Sequence, residues 1–144
     1  MKDRTYYLTD IKCVKETDGM LIAAESGTQI PFAIQRMFCV KEVGKGRSRG
    51  AHATKKTRLV LIALAGACEI EVDTGDHKEV FVMDTPSKGL YIDAMIWRTM
   101  KNFTPDCLVL ALADRVFDAQ DETYDDYEEF LKAVRVSSLS EEGK

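Results

Sequence analysis

The chain has 144 residues, 45% of them apolar and 31% charged, with a formal net charge of −4. That length favours one domain around one core, and that balance suits a globular protein rather than a disordered one. The acidic balance argues against a general nucleic-acid binder, and no apolar run approaches the roughly 20 residues that a bilayer crossing needs.

Read in chain order, most of the sequence predicts short β-strands between turn signals. "MKDRTYYLTD" opens the chain without an apolar export segment, so a cytoplasmic protein is expected. "TYYLTDIKCV" and "GMLIAAE" predict the first strands, and "SGTQIPF" a turn. "FAIQRMFCV" alternates loosely. "RLVLIALAG" is a continuous apolar run of the buried kind. "ACEIEVDTGDHKEVFVMD" predicts a hairpin: Ile70 and Val72 alternate with Glu69, Glu71 and Asp73, and "DTGDHK" turns the chain. "LYIDAMIWRTMKNF" and "CLVLALAD" close the strand series. Only "DETYDDYEEFLKAVRV" has helical spacing, with Tyr127, Phe130, Leu131 and Val134 on one face. Strand and helix do not alternate, so a βαβ fold is not expected. The pattern predicts an all-β fold, a jelly-roll sandwich or barrel with a short C-terminal helix. It is expected as one domain over residues 1–136, with 137–144 as a frayed, flexible tail.

The four cysteines, Cys13, Cys39, Cys68 and Cys107, form no CxxC pair. They are read as reduced, buried, small apolar residues. No His/Cys cluster has ligand spacing, so no metal is expected. No GxGxxG unit joins a strand to a helix, so no dinucleotide cofactor is expected.

One stretch stands apart. "GKGRSRGAHATKKT" is basic in an acidic chain and holds one of only two histidines. Lys45, Arg47 and Arg49 interleave with Gly44, Gly46 and Gly50. Glycine lets a backbone approach a ligand closely, and arginine presents a fork of donors suited to phosphate oxygens. A solvated basic loop is the other reading. His52 and Thr54 face one way on a strand, and an imidazole suits proton abstraction near neutral pH. A hydrogen-bonded structural histidine is the alternative. His77, in the predicted turn, is read as exposed and incidental. Trp97 is read as core or pocket wall. Arg98, beside it, either faces solvent or meets an anionic ligand.

Together, "RGAHATKK", "ALAGACEIEVDTGD", "PSKGLYIDAMIWRTMKNFTPDCLVLALAD" and "DYEEFL" resemble the dTDP-sugar 3,4-ketoisomerases, small cupins that act on dTDP-4-keto-6-deoxyglucose. The resemblance runs from about Ile30 to Leu131. It implies a cupin jelly roll, a homodimer, no metal or other cofactor, and a dTDP-linked keto-sugar as ligand, with neither nucleic acid nor membrane as partner. The implied reaction moves a ketone from C4 to C3 of the sugar through an enediol in deoxysugar biosynthesis. His52 matches the first histidine of the RGxHAHK motif and is the implied base; Arg49 matches its arginine. Arg36 matches the arginine of the "KRVYY" strand, and Trp97 and Arg98 match the "VW" or "MW" segment.

The sequence departs from the family pattern at four places. Thr54 replaces the second motif histidine, Phe38 and Cys39 replace two tyrosines, and Leu59 replaces a glutamine. Each change removes an acid, a base or a polar group; a threonine hydroxyl cannot exchange protons near pH 7 as imidazole does. The expected catalytic positions are His52 and Thr54. The expected substrate-binding positions are Arg36, Phe38, Lys45, Arg47, Arg49, Leu59, Trp97 and Arg98. A nucleotide-sugar enzyme of altered reaction, and a non-catalytic cupin that binds a nucleotide sugar or a partner enzyme, are the competing readings.

Overall fold

The apolar runs form β-strands that pair into two five-stranded sheets. The computed structural model describes residues 4–120 and 122–142, with side chains described through Ser137. The strands are β1 (Tyr6–Asp10), β2 (Lys12–Glu16), β3 (Gly19–Ala23), β4 (Arg36–Lys41), β5 (Arg49–Thr54), β6 (Leu59–Ala65), β7 (Cys68–Asp73), β8 (Lys78–Met83), β9 (Lys88–Ile92), β10 (Trp97–Lys101), β11 (Leu108–Ala113) and β12 (Thr123–Tyr124). One helix, α1 (Tyr127–Glu142), follows.

One sheet has the order β1-β9-β6-β11-β4 and the other β12-β5-β10-β7-β8, with β2 and β3 paired apart as a hairpin. Neighbours within both large sheets are antiparallel. This is the all-β jelly roll with a C-terminal helix that the strand pattern predicts. Alternation along β6 shows how the layers are built. Leu61 and Ala63 join Val109 and Ala111 of their own sheet, and Ile70, Val72 and Met100 of the other, in the core between the sheets. Val60 and Ile62 point the opposite way, into a second cluster with Ile11, Ile30, Phe32 and Ile22. Both faces of β6 are thus covered, which is why its sequence is apolar throughout.

The helix covers the outside of the second sheet. Asp126 Oδ1 accepts from the Glu129 amide at 3.1 Å, capping the first turn. Tyr127, Phe130, Leu131 and Val134 form the predicted face and meet Ala53 and Trp97. Phe130 is fully buried, and that burial contributes about 1.5–3 kcal/mol.

Four expectations are corrected. "TYYLTDIKCV" is two strands, because buried Ile11 breaks the run and donates its amide to Ser87 O at 2.9 Å. "LYIDAMIWRTMKNF" is also split, by a turn in which Met95 has φ +63°. The helix runs on to Glu142, into the expected tail, since no Gly or Pro interrupts it before Gly143. Of the four cysteines, all unpaired, only Cys68 and Cys107 are buried. Cys39 is exposed because it lies on the edge strand β4 and alternates with inward-facing Phe38 and Val40.

Candidate active site

The two sheets part where β4, the edge of one, faces β5, near the edge of the other. The strands set the inner face there by alternation. Arg36 and Phe38 project inward from β4, His52 and Thr54 from β5, and Arg98 from β10. These five line a cavity of about 810 Å³. Its remaining wall is the connector after β11, through Phe117, Ala119, Gln120, Glu122, Thr123 and Asp125. A second hollow of about 490 Å³ continues along the same two strands, lined by Cys39–Lys41, Glu42–Gly44 and Arg47–Arg49.

A β-bulge joins the two hollows. Arg98 pairs with His52, but Met100 pairs with Arg49, so three steps on β5 match two on β10. Arg49 and His52, an odd number of residues apart, therefore share the inner face. Gly50 makes this possible: its φ is +68°, and a Cβ there would come within 3.2 Å of Met100 Cε.

His52 is half-buried, and its Nε2 lies 3.1 Å from Arg98 Nη2. A guanidinium can only donate, so Nε2 accepts, and the proton of the neutral ring sits on Nδ1. Nδ1 faces Asp125 Oδ1 at 3.9 Å. Burial, then the Arg98 charge, push the His52 pKa down to about 4; Asp125 and Glu122 pull it up, and Arg49 adds a further lowering. The imidazole is thus a free base throughout the neutral range.

Arg98 is 4% exposed. Burial lowers its pKa to about 10, opposed by Glu122 and reinforced by Arg36, so it keeps its charge at pH 7. Its Nη1 and the Nε of Arg36 are buried donors with no hydrogen-bond partner among the described residues. Such donors are costly unless a ligand meets them. Arg36 sits between the rings of Phe38 and Phe117, at 5.3 and 5.5 Å. Its Nη2 donates to Glu122 Oε1 at 2.9 Å.

The predicted residues divide. Arg36, Phe38, His52, Thr54 and Arg98 meet in the larger cavity; Arg47 and Arg49 line the smaller hollow. Thr54 is buried, and its hydroxyl donates to Thr57 O at 2.7 Å, which commits its proton to the backbone. Lys45 is exposed in the loop and lines neither hollow. Leu59 is 1% exposed within the core and is not a lining residue. Trp97 has the opposite parity to Arg98, so it packs outward against α1, its ring 5.3 Å from that of Tyr127. The solvent-face reading of Arg98 is excluded by its burial. His77 is exposed in the β7–β8 turn, as expected. Glu122, Asp125 and Phe117 were not legible as site residues: in sequence they are part of an acidic approach to a helix, with no periodicity to aim them inward. Among the described residues no group of three His, Cys, Asp or Glu could hold a metal, and no helix is long and apolar enough to cross a membrane.

Comparison with known proteins agrees with this geometry. The chain is 32% identical over 134 residues to the TDP-4-oxo-6-deoxy-alpha-D-glucose-3,4-oxoisomerase of Aneurinibacillus thermoaerophilus, covering 93% of this chain and 96% of that protein. The crystal structure of QdtA, a sugar 3,4-ketoisomerase from Thermoanaerobacterium thermosaccharolyticum in complex with TDP, superposes with a TM-score of 0.87 at 32% identity, over 92% of this chain and 96% of that one. A variant of QdtA with one histidine changed to asparagine, in complex with TDP-4-keto-6-deoxyglucose, gives 0.86 at 32% identity, over 90% and 94%. Residues 4–135 match the family described as FdtA: WxcM-like, C-terminal. The chain belongs to that family.

Proposed function

We propose that this protein is a TDP-sugar 3,4-ketoisomerase acting on TDP-4-keto-6-deoxyglucose, with His52 as its base. The observation that carries the reading is the neutral imidazole of His52, facing a cavity in which Arg98 offers an unpartnered donor. The sugar occupies the larger cavity. The diphosphate extends toward Arg47 and toward Arg49, which the bulge at Gly50 turns to the inner face. His52 takes the proton from C3, and Arg98 and Arg36 stabilise the enediolate oxygen as charge develops. His52, the only histidine in the cavity, then returns the proton at C4, while the hydroxyl proton passes from O3 to O4. Atoms and charge balance without an external oxidant. The same reading makes the protein a cytoplasmic homodimer without nucleic-acid or membrane partners, serving deoxysugar biosynthesis for a surface glycan. That part rests on family resemblance.

A second reading is favoured by Phe38 and Thr54, which leave His52 without a second imidazole or a phenol beside it in the larger cavity on β4 or β5. It makes the protein a cupin of altered reaction or a binding protein. Incubation with TDP-4-keto-6-deoxyglucose in deuterated water separates the two. Isomerisation with deuterium at C3 or C4 by NMR supports the ketoisomerase, and an unchanged sugar despite bound TDP supports the alternative.

A further inference from the structure

We infer that Glu122 is a positioning residue of this site: its carboxylate holds Arg36 in the cavity wall and balances the two guanidiniums that face the sugar. The inference rests on the ketoisomerase reading. Glu122 is pinned from four sides. Its carbonyl accepts from the Lys55 amide at 2.9 Å. Its Oε1 accepts from Arg36 Nη2 at 2.9 Å and from Thr57 Oγ1 at 3.3 Å, and its Oε2 from the Asp118 amide at 3.2 Å. The side chain is only 12% exposed.

These contacts tie three separate segments together at the cavity: β4 through Arg36, the β5–β6 turn through Thr57, and the connector itself. Arg36 alone would be free to swing onto any anionic group of the ligand. Held by Glu122 and flanked by Phe38 and Phe117, it presents a fixed face. The charges matter as much as the bonds. Arg98 and Arg49 are the cations that act on His52, Arg36 is the cation that acts on Arg98, and Asp125 and Glu122 are the anions. Asp125 is 78% exposed and screened by water. Glu122 is therefore the better shielded carboxylate of the two. Without its charge, the two arginines repel each other, and the imidazole becomes a weaker base.

Glu122→Gln keeps the shape and removes the charge. A residue that only braced the fold would lose ligand affinity on substitution. A charge-balancing residue gives the opposite split, because the cavity gains net positive charge toward an anionic nucleotide. We expect Glu122→Gln to bind TDP as tightly as the parent or a few-fold tighter by calorimetry. We expect kcat to fall tenfold or more, KM not to rise, and the acid limb of kcat/KM to move to lower pH. Glu122→Asp should recover part of kcat. Parent values of kcat, or weaker TDP binding, overturn the inference. If Glu122→Gln does not fold, Glu122→Asp carries the test. A carboxylate one methylene short cannot reach both Arg36 Nη2 and Thr57 Oγ1, so parent kcat and KM in that variant overturn the inference. If the parent binds TDP but isomerises nothing, the ketoisomerase reading fails by itself. Calorimetry then decides for Glu122: tighter TDP binding by Glu122→Gln supports it, and weaker binding overturns it.

Discussion

Arg98 Nη2 and His52 Nε2 lie 3.1 Å apart, and only the guanidinium can be the donor. The contact fixes the imidazole tautomer, aims its lone pair at the cavity wall and keeps the ring neutral.

The first prediction concerns pH. His52 titrates at about 4 in the folded chain, against about 6.5 unfolded. With the neutral ring as the proposed base, kcat/KM should be flat through the neutral range, with an acid limb near pH 4. Stability follows from the same shift. The unfolded chain takes up the proton first as pH falls, so stability is lost between about pH 6.5 and pH 4, by roughly 3 kcal/mol for this group. Denaturant titrations across that range, with His52→Asn as control, measure the contribution; an equal loss in the variant would assign it elsewhere.

The second prediction concerns the base. His52→Asn should lower C3 exchange by about 10²–10⁴-fold while TDP affinity stays within a few-fold. Exchange at the parent rate would place the base at another residue.

The third prediction concerns the bulge. Gly50→Ala forces a side chain into a φ of +68° and against Met100. It should cost about 1–2 kcal/mol of stability and weaken TDP binding by turning Arg49 off the inner face. Arg49→Ala should cost binding alone, by about 1.5–3 kcal/mol for a charge-assisted contact. Calorimetry and thermal melts on both variants distinguish the effects; full TDP affinity in Gly50→Ala would mean that the bulge does not aim Arg49.

The fourth prediction concerns the residues that depart from the family motif. Phe38 lines the cavity, and Phe38→Tyr adds a hydroxyl there with little change in volume, so it should raise the isomerisation rate. Thr54→His costs more than the sequence suggests, because it removes the bond from Thr54 Oγ1 to Thr57 O. That loss should destabilise the fold by about 1–2 kcal/mol, which a thermal melt will register. A Phe38→Tyr enzyme with parent kcat would show that proton exchange at this position does not limit the rate.

How much was legible in the sequence depends on range. Alternation along β7 and the unbroken run of β6 reflect burial, which is local in the chain, so the layers were readable. The pairing of His52 with Arg98 gave no signal, since no periodicity links residues in strands so far apart. Of the two readings of Trp97, the structure gives core and not pocket wall, which the sequence left open because parity does not tell which face the helix covers. Leu59 was carried by a motif position and Lys45 by the basic, glycine-rich loop around it, and the fold put one in the core and the other in solvent. Glu122 gave no signal, because its environment is made by Arg36, Thr57 and Lys55, all distant in sequence.

Through Phe117, Ala119, Gln120, Glu122, Thr123 and Asp125, the connector after β11 supplies one wall of the larger cavity, yet among the described residues it adds only the two-residue strand β12 to a five-stranded sheet. Its sequence can therefore change while the layers on either side keep their packing. A lineage in need of a different sugar could rewrite this loop and leave the barrel alone, and an engineer seeking altered specificity should randomise it first.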